Sequence, residues 1–273
     1  NFLESRMAEK RSVRLWPRFA YASAIAFVVI GAYFFRSSFT ATNNNNTAYV
    51  TTTINPGKNG ATLTLANGTK ILINDAQAGD IANQSGVKIS KTKDGQIIYE
   101  ITEQSSGKSE YNTLSTTRGE QTQVRLPDGS LVFLNAASSL KYPTSFAKSS
   151  QRRVSLTGEG YFEIAKDKVH PFVVVTGKQE VEVLGTHFNI NAYTDEKAVK
   201  TTLLEGSVRV ASLSAKGSIM SIAKGHILKP GQQSVLDEKG IQITDVNLDE
   251  VVAWQKGYFR FYDEDIATVM RKV

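Results

Sequence analysis

The strongest constraint on the fold is a pair of short apolar runs on either side of a Pro-Asp-Gly-Ser turn. Within residues 118–163, apolar and polar side chains alternate before and after residues 127–130. An Asp-Gly pair between two alternating runs predicts a β-hairpin, because glycine adopts the positive φ that the chain reversal requires. The alternating apolar positions are Val124, Leu126, Val132 and Leu134. Nothing in this stretch has the pattern of a nucleophile, a metal cage or a phosphate loop, so we predict that it is scaffold.

Short strand-like runs with glycine turns recur along the chain. They lie at residues 87–101 around Asp94-Gly95, 153–156 ending at Gly158, 161–164, 172–175, 180–184, 188–193, 201–210 around Glu205-Gly206, 226–235 around Pro230-Gly231, and 241–243. No stretch between residues 53 and 247 has the helical period. Strands spaced about 8 to 12 residues apart predict an all-β domain, either jelly-roll-like or a short β-solenoid of repeated strand-turn-strand units.

Residues 62–76 and residues 123–137 align at a constant offset of 61. Asn67-Gly68 falls on Asp128-Gly129, and the apolar positions on both sides of the turn coincide. An internal repeat of this kind predicts units that stack to share a core. Chance similarity is the alternative, since unrelated hairpins converge on the same pattern.

An uncharged apolar run, residues 20–35, predicts a single transmembrane helix spanning residues 15–36. About 20 residues cross the hydrocarbon core of a bilayer, and Trp16, Tyr21 and Tyr33 suit its two interfaces. Basic residues precede the run, which places the N-terminus in the cytoplasm by the positive-inside rule. A cleaved signal peptide is the alternative, but no clear cleavage site follows the run.

Charge and composition exclude several functions. Residues 1–36 hold six basic and two acidic residues, hence +4 of the net charge of +6, which leaves +2 for the remaining 237 residues. A nearly balanced surface gives little support to direct nucleic-acid binding. The chain has no cysteine and therefore no disulfide or thiol chemistry. The Asn- and Thr-rich residues 40–53 predict a flexible tether.

Neither catalysis nor a cofactor is predicted. His170, His187 and His226 are far apart in the sequence and lack metal-ligand spacing. Glu159 and Glu163 lie four residues apart in a strand-like stretch, and we interpret Glu159 as a structural hydrogen-bond acceptor at a turn. Asp94, Asp128 and Asp195 each lie beside turn signals, which explain them without a further role. No metal site is predicted.

The pattern changes after residue 246. Residues 248–254 predict one or two helical turns, and residues 257–261 are strand-like. Asp263 or Asp265 caps a helix with an apolar stripe from Ile266 onward. This is the expected start of an α/β domain that the sequence does not complete, and the absence of an initial Met likewise suggests a fragment of a longer polypeptide.

Several ordered motifs resemble the FecR family of membrane anti-sigma factors. They are L-P-D-G-S-x-V-x-L-N-A-x-S-x-L-x-Y-P at residues 126–143, R-x-V-x-L-x-G-E-x-Y-F-E ending at Glu163, V-L-G-T-x-F-N-I at 183–190, T-L-x-E-G-x-V at 202–208 and L-x-P-G-Q at 228–232. The structural residues of these and neighbouring motifs are Pro127, Asp128, Gly129, Asn135, Tyr142, Pro143, Gly158, Glu159, Tyr161, Phe162, Pro171, Phe172, Phe188, Gly206, Pro230 and Gly231. Gly160 stands at a position where Ala is common in the family. This departure does not affect the resemblance. The last residues resemble the start of the secretin/TonB short-N-terminal-like domain of Bacteroidota members.

The resemblance implies an inner-membrane, single-pass regulator that relays a signal from a TonB-dependent outer-membrane transporter to a cytoplasmic extracytoplasmic-function sigma factor. The implied organisation is a remnant of the sigma-binding region at 1–14, the transmembrane helix at 15–36, a tether at 37–56, a β repeat unit at 57–112, a FecR-like periplasmic β domain at 113–246 and the start of the following domain at 247–273. We expect no enzymatic turnover.

Two sites follow from the resemblance. The transporter's signalling domain is expected to pair with an exposed strand edge, which we place at Tyr258, Phe259, Arg260, Phe261 and Tyr262. Some relatives cleave themselves between Gly and Thr by an N-to-O acyl shift, which here designates Gly185 and Thr186; an intact strand-turn-strand is the favoured interpretation.

Two further functions are compatible with a membrane-tethered β domain. A carbohydrate-binding domain in the periplasm would be expected to present Trp254 in an open groove. A structural adaptor of the cell envelope is the other alternative.

Overall fold

The computed structural model of the chain describes residues 27–36, 57–74, 76–84, 87–93, 96–101, 110–147, 149–213, 225–258, 260–261 and 266. The chain divides into two compact units, Asn1–Ile54 and Asn55–Val273. In the first unit, residues 27–36 form helix α1, and its large apolar side chains are exposed. Among all described residues, no helix combines the length and hydropathy needed to cross a membrane. Residues 15–26 of the predicted span lie outside the described residues.

The second unit consists almost entirely of β-strands. In chain order they are β1 Lys58–Asn59, β2 Thr62–Thr64, β3 Lys70–Leu72, β4 Gly79–Gln84, β5 Val87–Lys91, β6 Ile97–Ile101, β7 Tyr111–Ser115, β8 Glu120–Arg125, β9 Leu131–Leu134, β10 Ser139–Pro143, β11 Arg152–Glu163, β12 Phe172–Val175, β13 Gln179–Val183, β14 His187–Ala192, β15 Val199–Glu205, β16 Val208–Ser212, β17 His226–Leu228, β18 Gln232–Asp237 and β19 Gly240–Asp245. A short helix α2, Leu248–Val251, and a 3₁₀ turn, Trp254–Lys256, follow them. The prediction of a mainly β chain is confirmed.

The strands form two sheets that share β11. The first sheet has the order β3-β2-β7-β10-β11-β12-β13-β16-β17. The second sheet has the order β4-β5-β6-β8-β9-β11-β14-β15-β18-β19. Neighbours are antiparallel except β11–β12 and β6–β8, and β1 adds a parallel pairing to β8.

Successive groups of one to three strands alternate between the two sheets, so the chain winds as a flattened coil. The turns at Glu205-Gly206 and Pro230-Gly231 are therefore corners between sheets and not hairpin turns, because β15 pairs with β14 and β18 while β16 pairs with β13 and β17. Glycines at these corners have positive φ, 95° at Gly206 and 87° at Gly231. The described strands thus form a barrel-like arrangement of two sheets. The choice between a jelly-roll-like winding and a short solenoid stays a prediction.

Strand β11 passes from one sheet to the other without interruption. Its first half pairs with β10 and β12, and its second half, from Gly158 onward, pairs with β9 and β14. The sequence predicted that the strand ends at Gly158, and this is wrong. The positive φ of 84° at Gly158 changes the direction of the strand. Beyond this residue β11 is hydrogen-bonded to β9 and β14.

One hydrophobic core lies between the sheets. Alternate residues of both sheets contribute to a single cluster that runs from Ala61 to Leu236. At its centre the rings of Phe162 and Phe188, from neighbouring strands, stack with centroids 4.9 Å apart and planes 7° from parallel. The core extends on both sides of the predicted boundary at residue 112, because β7 crosses that boundary and pairs with β2 and β10.

The predicted repeat is a repeated hairpin. β2–β3 and β8–β9 turn with the same two backbone hydrogen bonds, Leu65 N to Thr69 O and Gly68 N to Leu65 O in the first, Leu126 N to Ser130 O and Gly129 N to Leu126 O in the second. The two copies lie in different sheets. Both copies contribute side chains to the same core, as the repeat predicts, and they do so from the two facing sheets.

Candidate functional site

Part of the outer face of the second sheet, on β9, β11, β14 and β15, is covered by the segment that follows β19. Asn247 caps α2 by accepting a hydrogen bond from the backbone N–H of Asp249 at 3.1 Å. The chain then brings Trp254 against Tyr161 of β11, and this residue is 9% exposed. Val251 and Val252 on the segment and Phe133 and Leu204 on the sheet complete this second, smaller apolar cluster. The predicted helical turns at 248–254 are confirmed.

The indole of Trp254 has a polar partner on the sheet. Its Nε1–H donates to Oδ1 of Asn189 on β14 at 3.3 Å. A buried indole N–H needs such an acceptor, since leaving it unpaired costs free energy. Trp254 is therefore not the ring in an open groove that the carbohydrate-binding alternative requires.

Glu159 lies at the centre of a network of amide side chains on the same face. Its Oε1 accepts from Nδ2 of Asn189 at 2.9 Å, and its Oε2 accepts from Nδ2 of Asn135 at 2.8 Å. Asn135 Oδ1 in turn accepts from Nε2 of Gln121 at 2.9 Å. The interpretation of Glu159 as a hydrogen-bond acceptor is confirmed, although it lies within a strand and not at its end. Glu163 takes no part in these hydrogen bonds.

Burial raises the pKa of Glu159 above its ordinary value of 4.5, because desolvation of the carboxylate outweighs the hydrogen bonds from Asn189 and Asn135. Between the ordinary and the raised pKa, the folded state holds a proton that the unfolded state has lost. The contribution of this group to stability is therefore complete below pH 4.5 and is lost as pH rises through the raised pKa.

We expect the Glu159 carboxyl carbon, observed by ¹³C NMR, to titrate with a midpoint above pH 4.5. Because each amide donor stabilises the charged form, Asn135→Leu is expected to move that midpoint further up. A midpoint at or below 4.5 would show that the amides outweigh desolvation.

Asp128, in the hairpin turn, is also half of a buried ion pair. Its Oδ2 lies 2.7 Å from Nη1 of Arg152, whose side chain is 4% exposed. The guanidinium also donates to the carbonyl oxygens of Ala165 at 3.0 Å and His170 at 2.8 Å, and it lies 5.4 Å from the ring centroid of Phe172. Sequence analysis assigned Asp128 only to the turn. No local pattern indicates a partner 24 residues away.

Gly185 and Thr186 form the corner between β13 and β14. Gly185 has φ of 141°, and a Cβ there would lie 2.7 Å from the Cα of Lys166. Thr186 is buried and its hydroxyl donates to the carbonyl oxygen of Ser207 at 3.1 Å. The corner is therefore closely packed against the next one, at Gly206-Ser207.

The residues that the motifs mark as structural serve turns and the core. Tyr142, Phe162, Phe172 and Phe188 are fully buried. Gly129, Gly158, Gly206 and Gly231 have positive φ, Pro127 and Pro230 lie in turns, and Pro143 ends β10. The carbonyl oxygen of Pro171 accepts from Arg152 N at 2.8 Å. Tyr161 faces outward to Trp254.

The predicted partner-binding strand is only partly within the described residues. Tyr258, Arg260 and Phe261 are described and are not in a strand. Gly257, with φ of 79°, ends the 3₁₀ turn and Tyr258 is 68% exposed. Phe259 and Tyr262 lie outside the described residues, as does the helix predicted to follow, apart from Ile266, which is helical.

The histidines remain apart. Nδ1 of His170 lies 2.9 Å from Asp167 Oδ2 and Nδ1 of His187 lies 3.5 Å from Glu205 Oε2, whereas His226 begins β17. Within the described ranges, no three His, Asp or Glu side chains are grouped to hold a metal ion.

Comparison with known proteins identifies related chains. Residues 112–209 match the family model described as FecR protein. Two crystal structures of a candidate anti-sigma factor from Parabacteroides distasonis ATCC 8503 are similar. The first is 31% identical, with a TM-score of 0.52 over 59% of this chain and 72% of the other. The second is 32% identical, with a TM-score of 0.51 over 58% and 71%. Among curated proteins, none matches.

Proposed function

Because the chain belongs to the FecR family of anti-sigma factors, we propose that it relays a signal from a TonB-dependent outer-membrane transporter to an extracytoplasmic-function sigma factor. The family is regulatory and not enzymatic, and a sigma factor is its partner. The match to the FecR model carries the regulatory assignment. The transporter and the class of sigma factor are our proposal.

We propose an inner-membrane location with a single span at residues 15–36. The uncharged run and the basic residues before it support this topology, with residues 1–14 in the cytoplasm and the β unit in the periplasm. Residues 37–56 then act as a tether, 57–112 and 113–246 as the β repeat unit and FecR-like domain, and 247–273 as the start of a secretin/TonB short-N-terminal-like domain.

Co-purification with the sigma factor tests the regulatory role. The full gene product, including whatever sequence precedes Asn1, is expected to retain the sigma factor encoded beside it. The chain from Asn1 onward is expected to retain much less, since we place the sigma-binding region upstream. Equal recovery with both would contradict the assignment of residues 1–14 as a remnant of that region.

On the periplasmic side, we propose that residues 258–262 contact the signalling domain of the transporter. Tyr258 is exposed and directly follows the segment that covers the second sheet. Tyr, Phe and Arg are among the residues enriched at protein interfaces, and they make up this whole stretch. Pairing with a partner strand would supply backbone hydrogen bonds in addition.

Phe261→Asp is expected to weaken binding of the signalling domain at least about tenfold, the scale of a lost aromatic contact. Ile227→Asp, at an exposed apolar residue of β17, is the matched control and is expected to bind normally. Titration calorimetry or a quantitative pull-down measures the difference. Unchanged binding by both Phe261→Asp and Phe259→Pro would rule out this contact.

We expect the Gly185-Thr186 bond to stay intact. The Thr186 hydroxyl is directed at the carbonyl of Ser207, on the neighbouring corner, and hydrogen bonds among the described residues give it no carboxylate or imidazole acceptor. Intact-mass spectrometry of the expressed chain should therefore show one species. Two fragments that disappear in Thr186→Ala would instead establish the acyl shift.

A further inference from the structure

The segment that follows β19 is held on the second sheet by a small set of apolar contacts, in which Trp254 is the largest side chain. None of the four residues of α2 is buried, and the buried residues of the segment are Val252, Ala253 and Trp254. By contrast, β11 and β14 beneath it contribute Phe162, Phe188 and Ile190 to the main core. Segments with few buried apolar contacts open independently of the rest of a protein. Such opening here requires the removal of Trp254 from the sheet.

The acceptor for Trp254 is oriented by Glu159. An Asn side chain presents an oxygen on one side and an NH₂ group on the other, and the hydrogen-bond network decides which points where. Both oxygens of Glu159 accept amide N–H groups, which turns the NH₂ of Asn189 toward Glu159 and its Oδ1 toward the indole. The opposite orientation would set an NH₂ group against the indole N–H, two donors face to face.

We propose that the outer face of the second sheet is a reversible docking surface for an indole-bearing segment of the same chain, residues 248–256. Phe133, Tyr161 and Leu204 supply the apolar contact and Asn189, positioned by Glu159, supplies the acceptor. Residues 248–256 are seated there in the structure. Detachment uncovers Phe133 and Tyr161, whose rings lie 5.8 Å apart.

The role of this docking in signalling rests on the proposed function. Residues 258–262, where we place the transporter contact, are joined to the docked segment by Gly257 alone, so a partner that binds them lies only a few residues from Trp254. Glu159, Asn135 and Gln121 connect the same contact to β11, β9 and β8. Binding of a partner at the C-terminal end thereby changes whether Phe133 and Tyr161 of the FecR-like domain are exposed.

Hydrogen exchange of the full chain, without any partner, tests the docking itself. In the wild-type chain, amides of residues 252–258 are expected to exchange at least about tenfold faster than those of β11 and β14, through local opening. Glu159→Gln replaces one acceptor oxygen by an NH₂ group and is expected to accelerate exchange of the segment by a further tenfold or so. Trp254→Phe, which keeps an aromatic ring and loses the N–H, is expected to act similarly. The double variant is expected to be little faster than either single variant.

Glu163→Gln is the matched control, since Glu163 is on the same strand and outside the network. It is expected to leave exchange of the segment unchanged. Equal exchange rates for the segment and for β11 and β14 in the wild-type chain would overturn the proposal. So would unchanged exchange in Trp254→Phe, or full additivity in the double variant. None of these outcomes depends on the transporter, so the docking can hold even if the proposed partner is wrong.

Discussion

Asp128→Asn is expected to lower the free energy of unfolding by about 3 to 5 kcal/mol, the usual cost of removing one partner from a buried ion pair. The loss arises because the guanidinium of Arg152 stays buried and charged after the carboxylate of Asp128 is removed. Its remaining acceptors are the neutral carbonyl oxygens of Ala165 and His170. Asn keeps the size of the side chain, its preference for turns and an oxygen for the backbone N–H of Ser130. The charge is lost, together with the second acceptor oxygen, which Arg152 shares with the Ser130 hydroxyl.

Urea denaturation followed by circular dichroism measures this loss. Asp195→Asn, at an exposed turn, is the control and is expected to change stability by no more than about 0.5 kcal/mol. A double variant, Asp128→Asn with Arg152→Met, should recover much of the loss, because a buried pair replaced as a whole costs little. A loss below 1 kcal/mol in Asp128→Asn would contradict a buried, charge-compensating role.

Gly158→Ala is expected to cost about 2 to 5 kcal/mol, the sum of a left-handed backbone and of overpacking. The added Cβ would lie 2.8 Å from the Cα of Ser138, a backbone atom that cannot rotate away. The Oγ of Ser138 accepts from the N–H of Glu159 at 2.9 Å, so the displacement also disturbs the crossing of β11 between the sheets.

The control for Gly158→Ala is Gly68→Ala, in the turn of the first hairpin. Gly68 has the same φ of 84°, but a Cβ there would meet no atom within 4 Å. The difference between the two variants in thermal or urea denaturation isolates the packing contribution. Equal losses would show that strain in the backbone, and not contact with Ser138, accounts for the effect.

Local structure was predictable where the signal lies within one turn. The Asp128-Gly129 and Asn67-Gly68 pairs specify their hairpins, because each combines a left-handed glycine with alternating residues on both sides. The same reasoning cannot tell a hairpin turn from a corner. Glu205-Gly206 has the composition of a hairpin turn, and only the pairing of β16 with β13 shows that the chain changes sheets there.

Contacts between residues far apart in the sequence could not be predicted from the sequence. The ion pair of Asp128 with Arg152 spans 24 positions of the sequence. The hydrogen bond of Trp254 with Asn189 spans 65. In neither case does the sequence around one partner indicate the other. The family motif marked Asn135 and Glu159 as structural. The hydrogen bond between them depends on the pairing of β9 with β11, which the motif does not encode.

The alternation of strands between two sheets affects the edges of the part of the chain that matches the FecR model, residues 112–209. Taken alone, that part would leave β8 and most of β7 as edge strands, with rows of backbone N–H and C=O groups open to pairing with another molecule. Here β2 and β3 extend the first sheet beyond β7, and β4 to β6 extend the second sheet beyond β8. The residues before 112 thus protect the family unit from edge-to-edge association, and they do so by adding further turns of the same coil.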